Sequence, residues 1–118
     1  MLRHPQSLFG HRLRTARIRA GIAQDRLGVL IGLDEGCSSA RISRYETGTH
    51  APPFEIAQSI ASILKVPVAY FYCPQDKLAE IIVELYGLSE EEIELVQQSI
   101  YSFKNNNDIR HNELTTKS

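Results

Sequence analysis

Gly32–Gly48 reads GLDEGCSSARISRYETG, and the way this stretch divides decides the fold. Its second half, Ile42-Ser43-Arg44-Tyr45-Glu46-Thr47-Gly48, reads as a helix closed by a glycine, which takes the left-handed stop without a Cβ penalty. Ile42 and Tyr45, three apart, face a core, and Arg41 and Arg44 share an outward face. Its first half reads as a loop. Asp34 favours turns, Gly36 permits positive φ, and Ser38 or Ser39 caps the helix that follows. The reading is therefore a roomy corner at Leu33–Ser38, then a helix to about Thr47.

The flanks supply more helices. LFGHRLRTARIRAG places Phe9, Leu13, Ala16 and Ala20 on one amphipathic stripe, stopped by Gly21. AQDRLGVLIG is a second, short helix with Leu27, Leu30 and Ile31 inward, and Gly28 leaves room for a close helix crossing. Downstream, THAPP is a loop because two consecutive prolines bar a helix. FEIAQSIASILKV carries Ile56, Ile60, Ile63 and Leu64, and Pro67 opens a short helix, PVAYFY. Cys73-Pro74 marks a break. DKLAEIIVELYG then carries Leu78, Ile81, Ile82 and Leu85. LSEEEIELVQQSIYSF starts with a capping box, Ser89 with Glu92, and a Leu88–Ile93 staple. The polar KNNNDIRHNELTTKS has no periodicity and reads as a frayed tail. No segment has strand periodicity, so the expected class is all-α.

Composition excludes several functions. The 118 residues suit one domain with a modest core. No apolar run is long enough for a membrane span or a secretory signal. Two cysteines, Cys37 and Cys73, favour a reduced, cytoplasmic protein over a disulfide scaffold. His4, His11, His50 and His111 lack metal-ligand spacing, and no nucleophile–base set or phosphate-binding glycine loop occurs. No enzyme, metal or cofactor is expected. The net charge of -1 hides a basic half. Residues 1–65 hold nine Arg or Lys against five Asp or Glu, among them Arg3, Arg12, Arg14, Arg17, Arg19, Arg26, Arg41 and Arg44. Residues 66–118 hold four against nine. A basic half attracts a polyanion.

These residues carry a resemblance. Arg17 precedes Gly21 by four, Gln24 opens the second helix, and Leu27 is followed by the small Gly28. ISRYETG resembles the phrase ISRWERG, and PPFEIAQSIASIL resembles a proline-initiated fourth helix. The stretch 8–72 resembles the Cro/C1-type helix-turn-helix family, also called XRE or lambda-repressor-like. The resemblance implies a five-helix bundle whose third helix lies in the DNA major groove. It implies base reading by Ser39 and Ala40 at the start of that helix, and by Arg41 and Arg44, with Ser43 on a base or a phosphate. It implies phosphate contacts by Gln24 at a helix N-terminus and by Thr47, Thr49 and His50 in the following loop. Arg17 and Glu46 resemble the family's internal ion pair. Ala23 departs from the usual capping Ser or Thr. The family pattern puts Ile42 about six residues after Gly32; here it follows by ten, so the expectation is an insertion in the turn.

Residues 73–103 lie outside the resemblance and form a C-terminal helical extension, with 104–118 a flexible tail. Two helices with apolar stripes pack on the first domain, pair with a second copy, or do both. Two half-sites multiply discrimination, which favours a homodimer element. The expected function is a sequence-specific regulator of transcription, a repressor reading a palindromic operator on double-stranded DNA. The alternative is an antitoxin-type module binding a protein partner through its C-terminal helices. Redox sensing by Cys37 is a lesser alternative role for the corner.

Overall fold

The computed structural model describes residues 7–116; the expectations for Arg3, His4 and the last two residues of the tail lie outside them. Six α-helices and one 3-10 turn make up the described residues. They are α1 (Leu8–Arg19), α2 (Gln24–Leu30), α3 (Glu35–Thr47), α4 (Phe54–Leu64), the 3-10 turn Val68–Tyr72, α5 (Asp76–Tyr86) and α6 (Glu90–Thr116). The all-α class holds, with no strand among the described residues.

The chain forms two compact units that divide between Tyr86 and Gly87. The first has one core. α1 contributes Phe9, Leu13 and Ala16, α2 Leu27, and α3 Ile42 and Tyr45. α4 adds Ile60 and Leu64, and the 3-10 turn adds Tyr70 and Phe71. Ring contacts join Phe9 to Phe71 at 4.8 Å between centroids. Four residues of the expected stripes, Ala20, Leu30, Leu78 and Ile81, are exposed instead. Ala20 is the C-cap of α1 and Leu30 the last residue of α2, where the chain is already leaving the core.

Glycine stops work as the sequence implied. Gly21, Gly32 and Gly48 have φ of 68°, 95° and 83°. At the end of α2, Gly32 N donates to Val29 O and Leu33 N to Gly28 O, both at 2.9 Å, a Schellman closure. The same closure at the end of α4 uses Lys65, with φ 59°.

Three expectations are corrected. The division after Tyr72 is not where the units part, because α5 belongs to the first. Ala79 is fully buried in the core, and Ile82 and Val83 pack against it. Arg12, counted with the basic residues, is 4% exposed. It donates to Cys73 O at 3.1 and 2.8 Å and pairs with Asp76 at 2.9 Å, so it clamps the Cys73-Pro74 corner. Arg19 likewise pairs with Glu80 at 2.7 Å, and that hydrogen bond holds the Glu80 carboxyl below its ordinary range. Finally, the expected frayed tail is helical as far as Thr116. Its asparagines are only moderate helix formers, yet no Gly or Pro follows Gly87, and an established helix gains one bond per added residue. The Ser89–Glu92 capping box that starts α6 is present, with bonds of 3.0 and 3.1 Å.

Candidate nucleic-acid interface

Of the expected corner at Leu33–Ser38, only Leu33 and Asp34 lie outside a helix. The turn between α2 and α3 is Ile31–Asp34, and α3 begins at Glu35 with Asp34 as its N-cap residue. The extra residues lengthen α3 at its N-terminus by about one turn, to 13 residues, or about 20 Å. Gly36, Ser38 and Ser39 cost such a helix about 2 kcal/mol in propensity, which is why they read as a loop. Packing outweighs that cost. Ser38 is fully buried and lies against Gly28, where an added Cβ would come within 2.8 Å of Ser38 Cα. Ser38, Ile42 and Tyr45 share the inward face at spacings of four and three, so the fit needs the helix to be continuous. Neither serine caps the helix. The Ser38 hydroxyl donates back to Glu35 O at 3.4 Å, and Ser39 lies in the second turn.

The outward face of α3 carries Gly36, Ala40 and Arg44, one helical turn apart, with Cys37 and Arg41 beside them, all exposed. Ser43 is half-buried at its edge. Glu35 and Gly36 occupy the first turn, the position the sequence reading assigned to Ser39 and Ala40. Their signal was present in Asp34-Glu35, an N-cap residue followed by an acid that suits the helix dipole. Gly36 has nothing within 4 Å of an added Cβ. Gly36→Ala is therefore expected to raise stability by about 0.5–1 kcal/mol, because helix interiors penalise glycine. Thermal melts check this, and the new methyl alters any surface that α3 docks against.

Behind this face lies a polar chain that joins α1, α2 and α3. Arg17 Nε and Nη2 donate to Glu46 Oε2 and Oε1 at 2.5 and 3.2 Å. Arg17 is 12% and Glu46 3% exposed at the side chain. Gln24 Nε2 donates to Glu46 Oε1 at 3.1 Å, and Ser39 Oγ donates to Gln24 Oε1 at 3.4 Å. The carboxylate can only accept, so it fixes which way the Gln24 amide points. After α3, Thr47 Oγ1 and Thr49 Oγ1 are 2.9 Å apart, and His50 N donates to Arg44 O at 3.2 Å. Gln24, Ser39, Thr47, Thr49 and His50 thus border the face formed by Ala40, Arg41, Ser43 and Arg44. The exposed thiol of Cys37 donates to Asp34 O at 3.5 Å, and Cys73 is buried, so the two are separate free cysteines.

A family model described as a helix-turn-helix domain matches residues 8–69. The chain belongs to the XRE/Cro-type helix-turn-helix family. Two curated relatives are named uncharacterized HTH-type transcriptional regulators, from Sinorhizobium medicae and Rhizobium meliloti. Each is 35% identical over 63 residues, 53% of this chain. The chain spans 42% of those relatives' length. The crystal structure of the transcriptional regulator BswR is similar over 79% of this chain and 92% of that one, with TM-score 0.74 and 43% identity. Within the family frame, α2 and α3 are the helix-turn-helix pair. Their turn is short, and the residues beyond the usual pattern lie in the helix.

Among the described residues, no group of His, Cys, Asp or Glu is arranged to hold a metal ion. No described helix is long and apolar enough to cross a membrane.

Proposed function

We propose that the protein is a sequence-specific DNA-binding regulator of transcription that acts in the cytoplasm, a repressor reading a palindromic operator as a dimer. The observation that carries this reading is the two-sided build of α3. Ser38, Ile42, Tyr45 and Glu46 anchor one side in the core, and the other presents Arg41 and Arg44 on a face of small residues. Small side chains let a helix approach base edges closely, and an arginine donates two hydrogen bonds to guanine O6 and N7. Gln24, Thr47, Thr49 and His50 sit beside this face as phosphate contacts, and Ser39, Ala40 and Ser43 lie along the groove-facing helix.

The Arg44→Ala protein tests this reading on a site selected from random DNA. Binding to that site is expected to fall by about 5–160-fold, matching about 1–3 kcal/mol of lost discrimination. Binding to random duplexes falls much less. Equal losses on both, with a shallower salt dependence, would make Arg44 a phosphate contact instead.

The dimer reading rests on the C-terminal helices. Ile93, Leu95, Ile100, Tyr101 and Phe103 of α6 are all exposed, and so are Leu78 and Ile81 of α5. The exposed apolar residues of α6 also support a second reading, an antitoxin-type module that holds a protein partner through α6. A monomeric full chain at micromolar concentration would favour that second reading.

A further inference from the structure

On the surface of α6, Ile93, Val96, Ile100 and Phe103 recur at spacings of three, four and three. That is the seam of a coiled coil, whose apolar positions repeat every 3.5 residues. Ile93, Ile100 and Phe103 are 44%, 46% and 68% exposed. Val96 is half-buried. The next seam position is Asn107, so the apolar run ends there. Four apolar layers on a helix ending in a polar seam residue suit one partner helix of matching length.

Charge along α6 decides its direction. Glu90, Glu91, Glu92 and Glu94 crowd the N-terminal end, whereas beyond the seam's midpoint Lys104 and Arg110 balance Asp108 and Glu113. A parallel pair would set the two glutamate clusters side by side and align the two helix dipoles. An antiparallel pair instead brings each cluster level with residues 102–106 of the other copy, Glu92 with Lys104, and opposes the dipoles. It also matches the seam to itself. Ile93 meets the second copy's Phe103, Val96 meets its Ile100, and the two-fold axis passes near Gln98. Each contact then occurs twice, as a closed two-fold interface requires.

We propose that α6 is the dimer seam and pairs antiparallel with α6 of a second copy of this chain. The inference rests on the homodimer reading above and adds to it the element, the direction and the register.

The test uses the full chain with Cys37→Ser, which removes the exposed native thiol. Into it go Ser99→Cys or Asn107→Cys, both at exposed polar positions. Solution mass is measured at micromolar concentration, followed by treatment with a short bismaleimide cross-linker. In the antiparallel pair the two copies of residue 99 lie beside the two-fold axis, and the two copies of residue 107 lie about 27 Å apart along the helix direction. The expected result is a dimer mass for both proteins, with covalent dimer from Ser99→Cys and none from Asn107→Cys. Covalent dimer from Asn107→Cys would overturn the antiparallel direction while leaving the homodimer standing. A dimer mass with no cross-link at either position would remove α6 from the seam. A monomer mass would overturn the homodimer reading together with the inference. None of these outcomes depends on DNA, so the regulator reading is tested separately.

Discussion

Glu46→Ala is expected to destabilise the first unit by about 3–5 kcal/mol, the range for breaking a buried ion pair and leaving one charge behind. At the size of this unit that corresponds to a fall in Tm of roughly 12 °C or more. The reason is the burial of both partners. The Glu46 side chain is 3% exposed and accepts three hydrogen bonds, two from Arg17 and one from Gln24. Removing it strands the Arg17 guanidinium, whose Nη1 keeps only its bond to Ile22 O at 3.0 Å. It also frees the Gln24 amide at the start of α2, so affinity for all DNA sequences should fall even at temperatures where the variant is folded. Thermal melts and binding isotherms on one preparation separate the two effects. An unchanged Tm would make the pair a surface one, worth roughly 0–1 kcal/mol.

The second large effect is expected at Gly10. A Cβ there would sit 2.7 Å from the Glu46 carbonyl carbon and 2.8 Å from Tyr45 O. Both obstacles are backbone atoms of α3, so no side chain can swing aside. Gly10→Ala gains about 0.5–1 kcal/mol in helix propensity. It loses more by forcing α1 away from α3, since overpacking costs typically 1–3 kcal/mol even where side chains yield. The expected net is a loss of about 2 kcal/mol in denaturant unfolding. Gly36→Ala is the internal contrast: the same substitution in a helix, with open space around it, and the opposite sign. A stabilised Gly10→Ala protein would mean that α1 does not pack this tightly on α3.

Much of this architecture was readable from residue spacing. Leu13, Ala16, Leu27, Ile42, Tyr45, Ile60 and Leu64 declared themselves by helical periodicity, and all are buried. Gly21, Gly32 and Gly48 announced three of the four left-handed stops, and Lys65 carried no such signal. The features that stayed hidden share one cause: they depend on what lies across the core. The start of α3 was hidden because Gly36, Ser38 and Ser39 are poor helix formers alone. Only the fit of Ser38 against Gly28 makes that turn helical. Gly10 carries no periodic signal, since its role is to be absent where α3 crosses α1. Arg12 looked like one basic surface residue among eight, and its clamp on Cys73 lies 61 positions away. The placement of α5 with the first unit turned on Ala79, a small residue in a stripe of larger ones. Of the candidate site, Arg41 and Arg44 were readable as an outward pair from their offset to Ile42 and Tyr45. The link from Arg17 through Glu46 and Gln24 to Ser39 was not, because its members come from three helices.

The central claim is that α3 reads DNA sequence, and selection from a random duplex library by the full chain tests it most directly. The account predicts one enriched motif, built of two inverted half-sites whose centres lie about 10 base pairs, or one helical turn, apart. It also predicts that the motif's enrichment collapses for Arg44→Ala. Recovery of no motif above the starting library, under salt conditions where the protein retains DNA, would contradict it.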